Sequence, residues 1–319
     1  MSSTAVPVPA KAPKGRRLPD VFRREGWRAV PFLAPAVILL LVFLVYPVIW
    51  TIRLSFDTGL GLKPTKWVGF LNYDRLLTRD TRFLDRTHFP PSGAVINNLK
   101  WVVVYTALCL ALGLLTAVLA TRVRYEAVVK AVIFVPMAIS ATAVAVIWLL
   151  VYSPDPNIGV VNAGLHSIGV GPISFLGRTD TVVYAQIVAY VWASTGFAMV
   201  VLAAALKGIS QEVIEAARTD GANEWDIFRR IQLPLLSLPI AVVTVWLIIN
   251  VVKVFDIIYI MTRGGPGGSS RVIAYSFFSE TFENGKPGYG AAIAVIMLLL
   301  IIPIMAWQIR RFRSEAVVQ

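Results

Sequence analysis

The sequence predicts an all-α integral membrane protein with six transmembrane helices. Of its 319 residues, 57% are hydrophobic and only 15% charged, where soluble domains carry about 25% charged residues; the mean hydropathy is +0.70. The apolar residues gather in runs long enough to cross about 30 Å of hydrocarbon at helical rise. The basic residues behind the net charge of +12 sit in short clusters between those runs. That is the pattern of membrane topology under the positive-inside rule, so nucleic acid is not an expected partner.

Taken in order, residues 1–28 form an expected disordered, basic cytoplasmic tail, with Lys11, Lys14, Arg16, Arg17, Arg23, Arg24 and Arg28 among prolines and small residues. The first apolar run, 30–52, is too long for a signal-peptide core and should remain as a span. A transmembrane domain over 29–314 follows, with spans at 30–52, 101–120, 129–152, 182–206, 235–260 and 291–307. The connection 53–100 holds Trp67, Phe70, Tyr73 and Phe83, which suit either an ordered cap or a surface loop. Pro136 should kink or locally open the third span. The stretch 153–181 is rich in Pro, Gly and Asn with Arg178 as its one basic residue, and reads as extracytoplasmic. Six spans put both termini on one side, which the basic clusters make the cytoplasm. Cys109 stands alone, and His88 and His166 read as ordinary loop residues.

Between the fourth and fifth spans lies a polar segment, 210–234, that divides at Gly221 into two short amphipathic helices. Ser210 is expected to cap the first and Asn223 the second, with Glu212, Glu224 and Asp226 facing the positive dipole ends. Pro234 falls where the next helix would start. The fifth span is unusual in containing Asn250, Lys253 and Asp256. Charges inside a membrane helix are costly and face a cavity or a partner. Lys253 and Asp256, three apart on a helix, would share a face and either neutralise each other or touch a solute. No phosphate-loop, HExxH or GxSxG pattern occurs, so the chain itself should bind no ATP and holds no recognisable catalytic or metal site.

The order Glu215-Ala216-Ala217, Gly221, Ile231 and Leu233-Pro234 resembles the EAA signature of permease subunits in binding-protein-dependent ABC importers. Val68-Gly69-Phe70-Leu71-Asn72-Tyr73 and Phe255-Asp256-Ile257-Ile258-Tyr259, with Thr262 and Gly264-Gly265-Pro266, resemble the maltose and glycerol-3-phosphate type of sugar permease. The resemblance implies the type I permease fold and a non-enzymatic subunit of the plasma membrane. It implies four kinds of partner besides lipid: a second permease subunit, two cytoplasmic ATPase subunits that bind ATP and Mg, an extracytoplasmic solute-binding protein, and a sugar or oligosaccharide. Glu215, Ala216, Ala217 and Gly221 would then couple to the ATPase. Ser194, Thr195, Phe197 and Asn250 would contact the sugar; the alternative use of Ser194 and Thr195 is bonding to their own backbone, and that of Phe197 is interhelical packing. An ABC permease for another solute, or an ion-coupled secondary transporter that uses Lys253 and Asp256, are the rival readings.

Overall fold

The computed structural model describes residues 21–59, 65–87 and 89–316, with side chains over 31–59, 65–87 and 89–310; residues 1–20 of the expected tail and His88 lie outside the described residues. The chain divides into two compact units, Met1–Trp50 and Thr51–Gln319. The described part of the first is helical: it holds helix α1 (Pro31–Leu54) as far as Trp50, and the helical backbone already begins at Val21, inside the stretch expected to be tail. Ahead of Pro47 the turn Leu41–Val45 widens to π geometry, with the Tyr46 N–H bonding to Leu41 O. A proline has no N–H to donate, and a widened turn is one way for a helix to absorb it without breaking.

The second unit opens with the connection that the sequence left as cap or loop, and its described part is an ordered cap. Phe56 stacks on Trp67 with centroids 5.3 Å apart and meets Phe70 edge-on at 5.2 Å. Buried Asn72 donates from Nδ2 to the carbonyls of Ser55 and Asp57, both at 2.9 Å.

The helices that follow are α2 (Ala94–Ala120), α3 (Glu126–Ala138), α4 (Ala141–Val151) and α5 (Val182–Lys207). After them come α6 (Gln211–Thr219), then α7 (Glu224–Leu235) and α8 (Ser237–Val252), α9 (Asp256–Met261), α10 (Ile273–Phe278) and α11 (Pro287–Ala316). Among the described residues four helices are long and apolar enough to cross a membrane, and up to six spans result when each of two bent pairs counts as one. His166, expected in a loop, sits instead on the short helix Val160–Ser167.

The bent pairs show where apolar patterning stops being sufficient. α3 and α4 meet at 99°. Pro136 starts the tight turn Val135–Ala138, Ile139 is extended, and Ser140 Oγ accepts the Ala143 N–H at 3.2 Å to start α4 afresh. The expected third span is therefore two helices, a larger opening than a kink. The expected fifth span, 235–260, is also corrected: α7 and α8 bend by 65°, α8 stops at Val252, and α9 begins only at Asp256. A helix can end inside the bundle only if its last carbonyls find donors. Here Asn98 Nδ2 donates to Val251 O at 3.2 Å.

α5 is the central element, and glycine sets its distance from both neighbours. A Cβ on Gly113 of α2 would stand 2.5 Å from the Ala198 Cβ, and one on Gly196 would stand 2.7 Å from Ile133 O of α3. Small residues at such contacts let membrane helices approach closely and gain dispersion energy where no hydrophobic effect operates between them.

Candidate functional site

Two regions carry the candidate residues. In the first, α5 faces α8. Ser194 and Thr195 are buried on α5, and Thr195 Oγ1 donates to Val191 O of its own helix at 2.7 Å; its hydroxyl is thus committed to the backbone. Phe197 stacks on Trp246 of α8, centroids 4.0 Å apart and planes 29° from parallel, so its face is used in interhelical packing. Half-buried Asn250 stands one turn beyond Trp246 and donates from Nδ2 to Trp246 O at 2.8 Å, leaving Oδ1 to accept from elsewhere. The structure brings Phe197 and Asn250 together through Trp246, which the sequence reading did not single out.

Lys253 and Asp256 do not form the expected pair. Both are exposed, and among the described residues no ion pair joins them. The helical register that would put them on one face ends at Val252, and Lys253 and Phe255 lie in a turn before α9. The two charges flank a break instead of sharing a turn.

That break is held by amides that sequence reasoning missed. Asn98 Oδ1 accepts the Ile273 N–H at 2.8 Å while its Nδ2 serves Val251. Asn97 Nδ2 donates to Ser269 O and Arg271 O at 2.7 and 2.9 Å. Gln186 of α5 donates to Thr262 Oγ1 at 2.9 Å, and the Thr262 and Ser270 hydroxyls lie 2.8 Å apart. In the glycine loop, Gly264 has φ +76° and a Cβ there would meet the Tyr275 ring at 2.7 Å, so only glycine fits. Two adjacent asparagines at the edge of an apolar run are the signal that pointed here, because buried amides in a bundle need partners.

The second region is α6, α7 and the junction between them. Gly221 has φ +84°, the left-handed conformation that ends a helix with a glycine. The Gly221 and Ala222 N–H groups bond back to Arg218 O and Ala217 O at 3.1 and 3.0 Å. Asn223 Oδ1 accepts the Asp226 N–H at 2.9 Å, the expected cap. Ser210 takes the cap position without the expected side-chain bond, which leaves Glu212 as the polar complement of that helix end. Pro234 lies within the last turn of α7, not at the start of α8. As at Pro47, the preceding turn, Phe228–Gln232, is π-wide, with the Leu233 N–H reaching Phe228 O. Glu215, Ala216 and Gly221 are exposed and Ala217 half-buried, so the predicted coupling residues occupy an accessible knob. Glu224, expected to face the dipole of its helix, also ties the knob together: Arg218 Nη2 reaches its Oε1 at 2.9 Å across the junction, and Arg122 from the α2–α3 loop reaches Oε2 at 3.1 Å.

Residues 109–310 match the family described as binding-protein-dependent transport system inner membrane component. The osmoprotective compounds uptake permease protein GgtC of Synechocystis is 42% identical over 288 residues, 89% of this chain and 98% of that protein. The alpha-glucoside transport system permease protein AglF of Rhizobium meliloti is 39% identical over 89% of this chain and 82% of its own length. The trehalose/maltose transport system permease protein MalF of Thermococcus litoralis is 32% identical over 92% of this chain and 96% of that one. A chain in the crystal structure of a bacterial ABC transporter involved in alginate import superposes with a TM-score of 0.75 at 24% identity, covering 91% of this chain and 98% of that chain, a likeness of fold.

Proposed function

The chain belongs to the family of binding-protein-dependent transport system inner membrane components, and from that membership we propose that it is one of two permease subunits of an ATP-driven sugar importer. The observation that carries the proposal is the exposed two-helix knob around Gly221, in a chain whose relatives are named permeases for osmoprotectants, α-glucosides and trehalose/maltose. Those names favour an α-glucoside as substrate.

In this reading Glu215, Ala216, Ala217 and Gly221 dock in a cytoplasmic ATPase that binds ATP and Mg, and both termini lie on that side. The α7–α8 bend and the Arg122–Glu224 contact join the knob to α8 and α2, so its displacement reaches the Trp246–Asn250 face directly. Alternating access requires two states that ATP and the loaded solute-binding protein both bias. Asn250 supplies a sugar hydroxyl with an acceptor at Oδ1, and Phe197 with Trp246 offers an aromatic wall, the pairing of polar and apolar groups that suits a sugar. Ser194 is buried on α5 beside Tyr105 of α2, while Thr195 shapes α5. Lys253 and Asp256, exposed at the break, face the second permease subunit or the path between the two.

Proteoliposomes holding the chain with its permease, ATPase and binding-protein partners test the proposal. Labelled trehalose or maltose should accumulate only with ATP on the ATPase side and binding protein on the other. Accumulation driven by an ion gradient, without ATP or partners, would overturn it.

A further inference from the structure

The end of the second unit far from Gly221 carries a cavity that the import reading leaves without a role. α2 is 27 residues long, about 40 Å at helical rise. Just past its Ala120 end Arg122 meets Glu224, while its Ala94 end packs with Phe83, Ile273 and Tyr289. Beside that packing lies a cavity of about 380 Å³ whose wall carries Arg75, Arg79, Arg82 and Lys286 against two carboxylates, Asp80 and Glu280.

Both carboxylates are already engaged within the chain. Asp80 Oδ1 accepts the N–H groups of Arg82 and Phe83 at 2.9 and 3.2 Å, and its Oδ2 accepts the Tyr289 hydroxyl at 2.7 Å. Glu280 is buried, accepts from Asn284 Nδ2 at 3.0 Å, and has Lys286 Nζ at 3.7 Å and Arg271 Nη1 at 3.9 Å. Arg79 is paired with Asp74 at 3.3 Å. Arg75 and Arg82 have no carboxylate partner among the described residues. Their backbones are nevertheless ordered, one in the π turn Arg75–Arg79 and the other in the turn closed by Asp80.

We propose that this cavity binds a phosphate-bearing anion through Arg75 and Arg82. Two guanidinium groups offer planar, two-pronged donors that match phosphate oxygens better than they match a halide or a single water. The cavity sits where a membrane surface would be: Tyr289 is in the first turn of apolar α11, and Leu77, in the turn that carries Arg75, and Phe282, in the turn that carries Glu280, are exposed. A phosphodiester of an anionic lipid headgroup and free inorganic phosphate present the same oxygens, and basic pockets beside membrane helices are known to take headgroups.

The test uses the purified full-length chain with whatever subunits accompany it, in nanodiscs of phosphatidylcholine alone or with 20% phosphatidylglycerol. Native mass spectrometry counts retained phosphatidylglycerol, and equilibrium dialysis of labelled inorganic phosphate is run on the phosphatidylcholine discs. Binding in either arm should weaken on the order of ten- to thirty-fold in Arg75→Gln/Arg82→Gln and stay unchanged in Arg124→Gln, a basic residue at the opposite end. Phosphatidylglycerol retention identifies a lipid, and phosphate uptake without it identifies a free anion. Equal binding by wild type and double variant in both arms would overturn the site. Both arginines are exposed, so the variant should fold; Arg75→Gln and Arg82→Gln singly repeat the measurement if it does not.

Discussion

Replacing Gly221 by aspartate separates the local cost of the junction from its cost at a docking surface. A Cβ at Gly221 would meet nothing within 4 Å, so the cost within the chain is conformational, from holding φ at +84°. For most residues the left-handed region costs about 1–2 kcal/mol, and aspartate and asparagine tolerate it best, so the cost here is about 1 kcal/mol. Insertion and melting of the membrane bundle should therefore stay near wild type. The new carboxylate stands next to exposed Asp220 on the knob that also carries exposed Glu215, and closing a partner over an unpaired charge costs about 2–5 kcal/mol. That corresponds to an affinity loss of about thirty-fold to several thousand-fold. Co-purification of the ATPase and ATP-driven uptake in proteoliposomes should both collapse, while Gly221→Asn, with the same shape and no charge, should lose much less. Undiminished uptake by Gly221→Asp would refute the docking argument. Failure of the variant to insert would refute the geometry assigned to the junction.

Other outcomes follow from individual contacts. Asn250→Ala should raise the sugar concentration for half-maximal uptake about five- to ten-fold, the effect of one hydrogen bond, and an unchanged value would remove Asn250 from the path. Asn98→Leu removes the amide that Val251 O and the Ile273 N–H now share, leaving Val251 O with the Val254 N–H and the Ile273 N–H unpaired, so thermal unfolding in detergent should show a loss of about 1–3 kcal/mol; an unshifted melting temperature would mean that the helix break holds itself. Gly196→Val should destabilise the bundle by about 1–3 kcal/mol or more, because its Cβ would already crowd Ile133 O and Phe134 Cα at 2.7 and 2.9 Å. Glu224→Gln, in an exposed cluster, should change stability by less than about 1 kcal/mol yet lower uptake per ATP hydrolysed, measured as the ratio of the two rates in the same vesicles.

The sequence by itself determined the class of protein, where its apolar runs lie, and the two-helix segment with its glycine junction. These depend on local properties: transfer of apolar side chains, dipole complement at helix ends, and the one residue that accepts positive φ freely. Even Pro136 announced a disruption of its span. Only the tertiary structure decided where helices stop inside the bundle. The sequence treated Asn250, Lys253 and Asp256 as points on one helix, whereas that helix stops at Val252, where Asn98, more than 150 positions earlier in the chain, donates to Val251 O, and the two charges lie on either side of the break. The engagement of Phe197 with Trp246 and of Glu224 with Arg122 was equally invisible in the linear order. Each depends on which helix faces which, and that follows from the close approach at Gly113 and Gly196. An apolar span in a membrane saves much the same transfer energy whatever its neighbour, so hydropathy locates spans without pairing them; directional bonds and small-residue packing make the pairing.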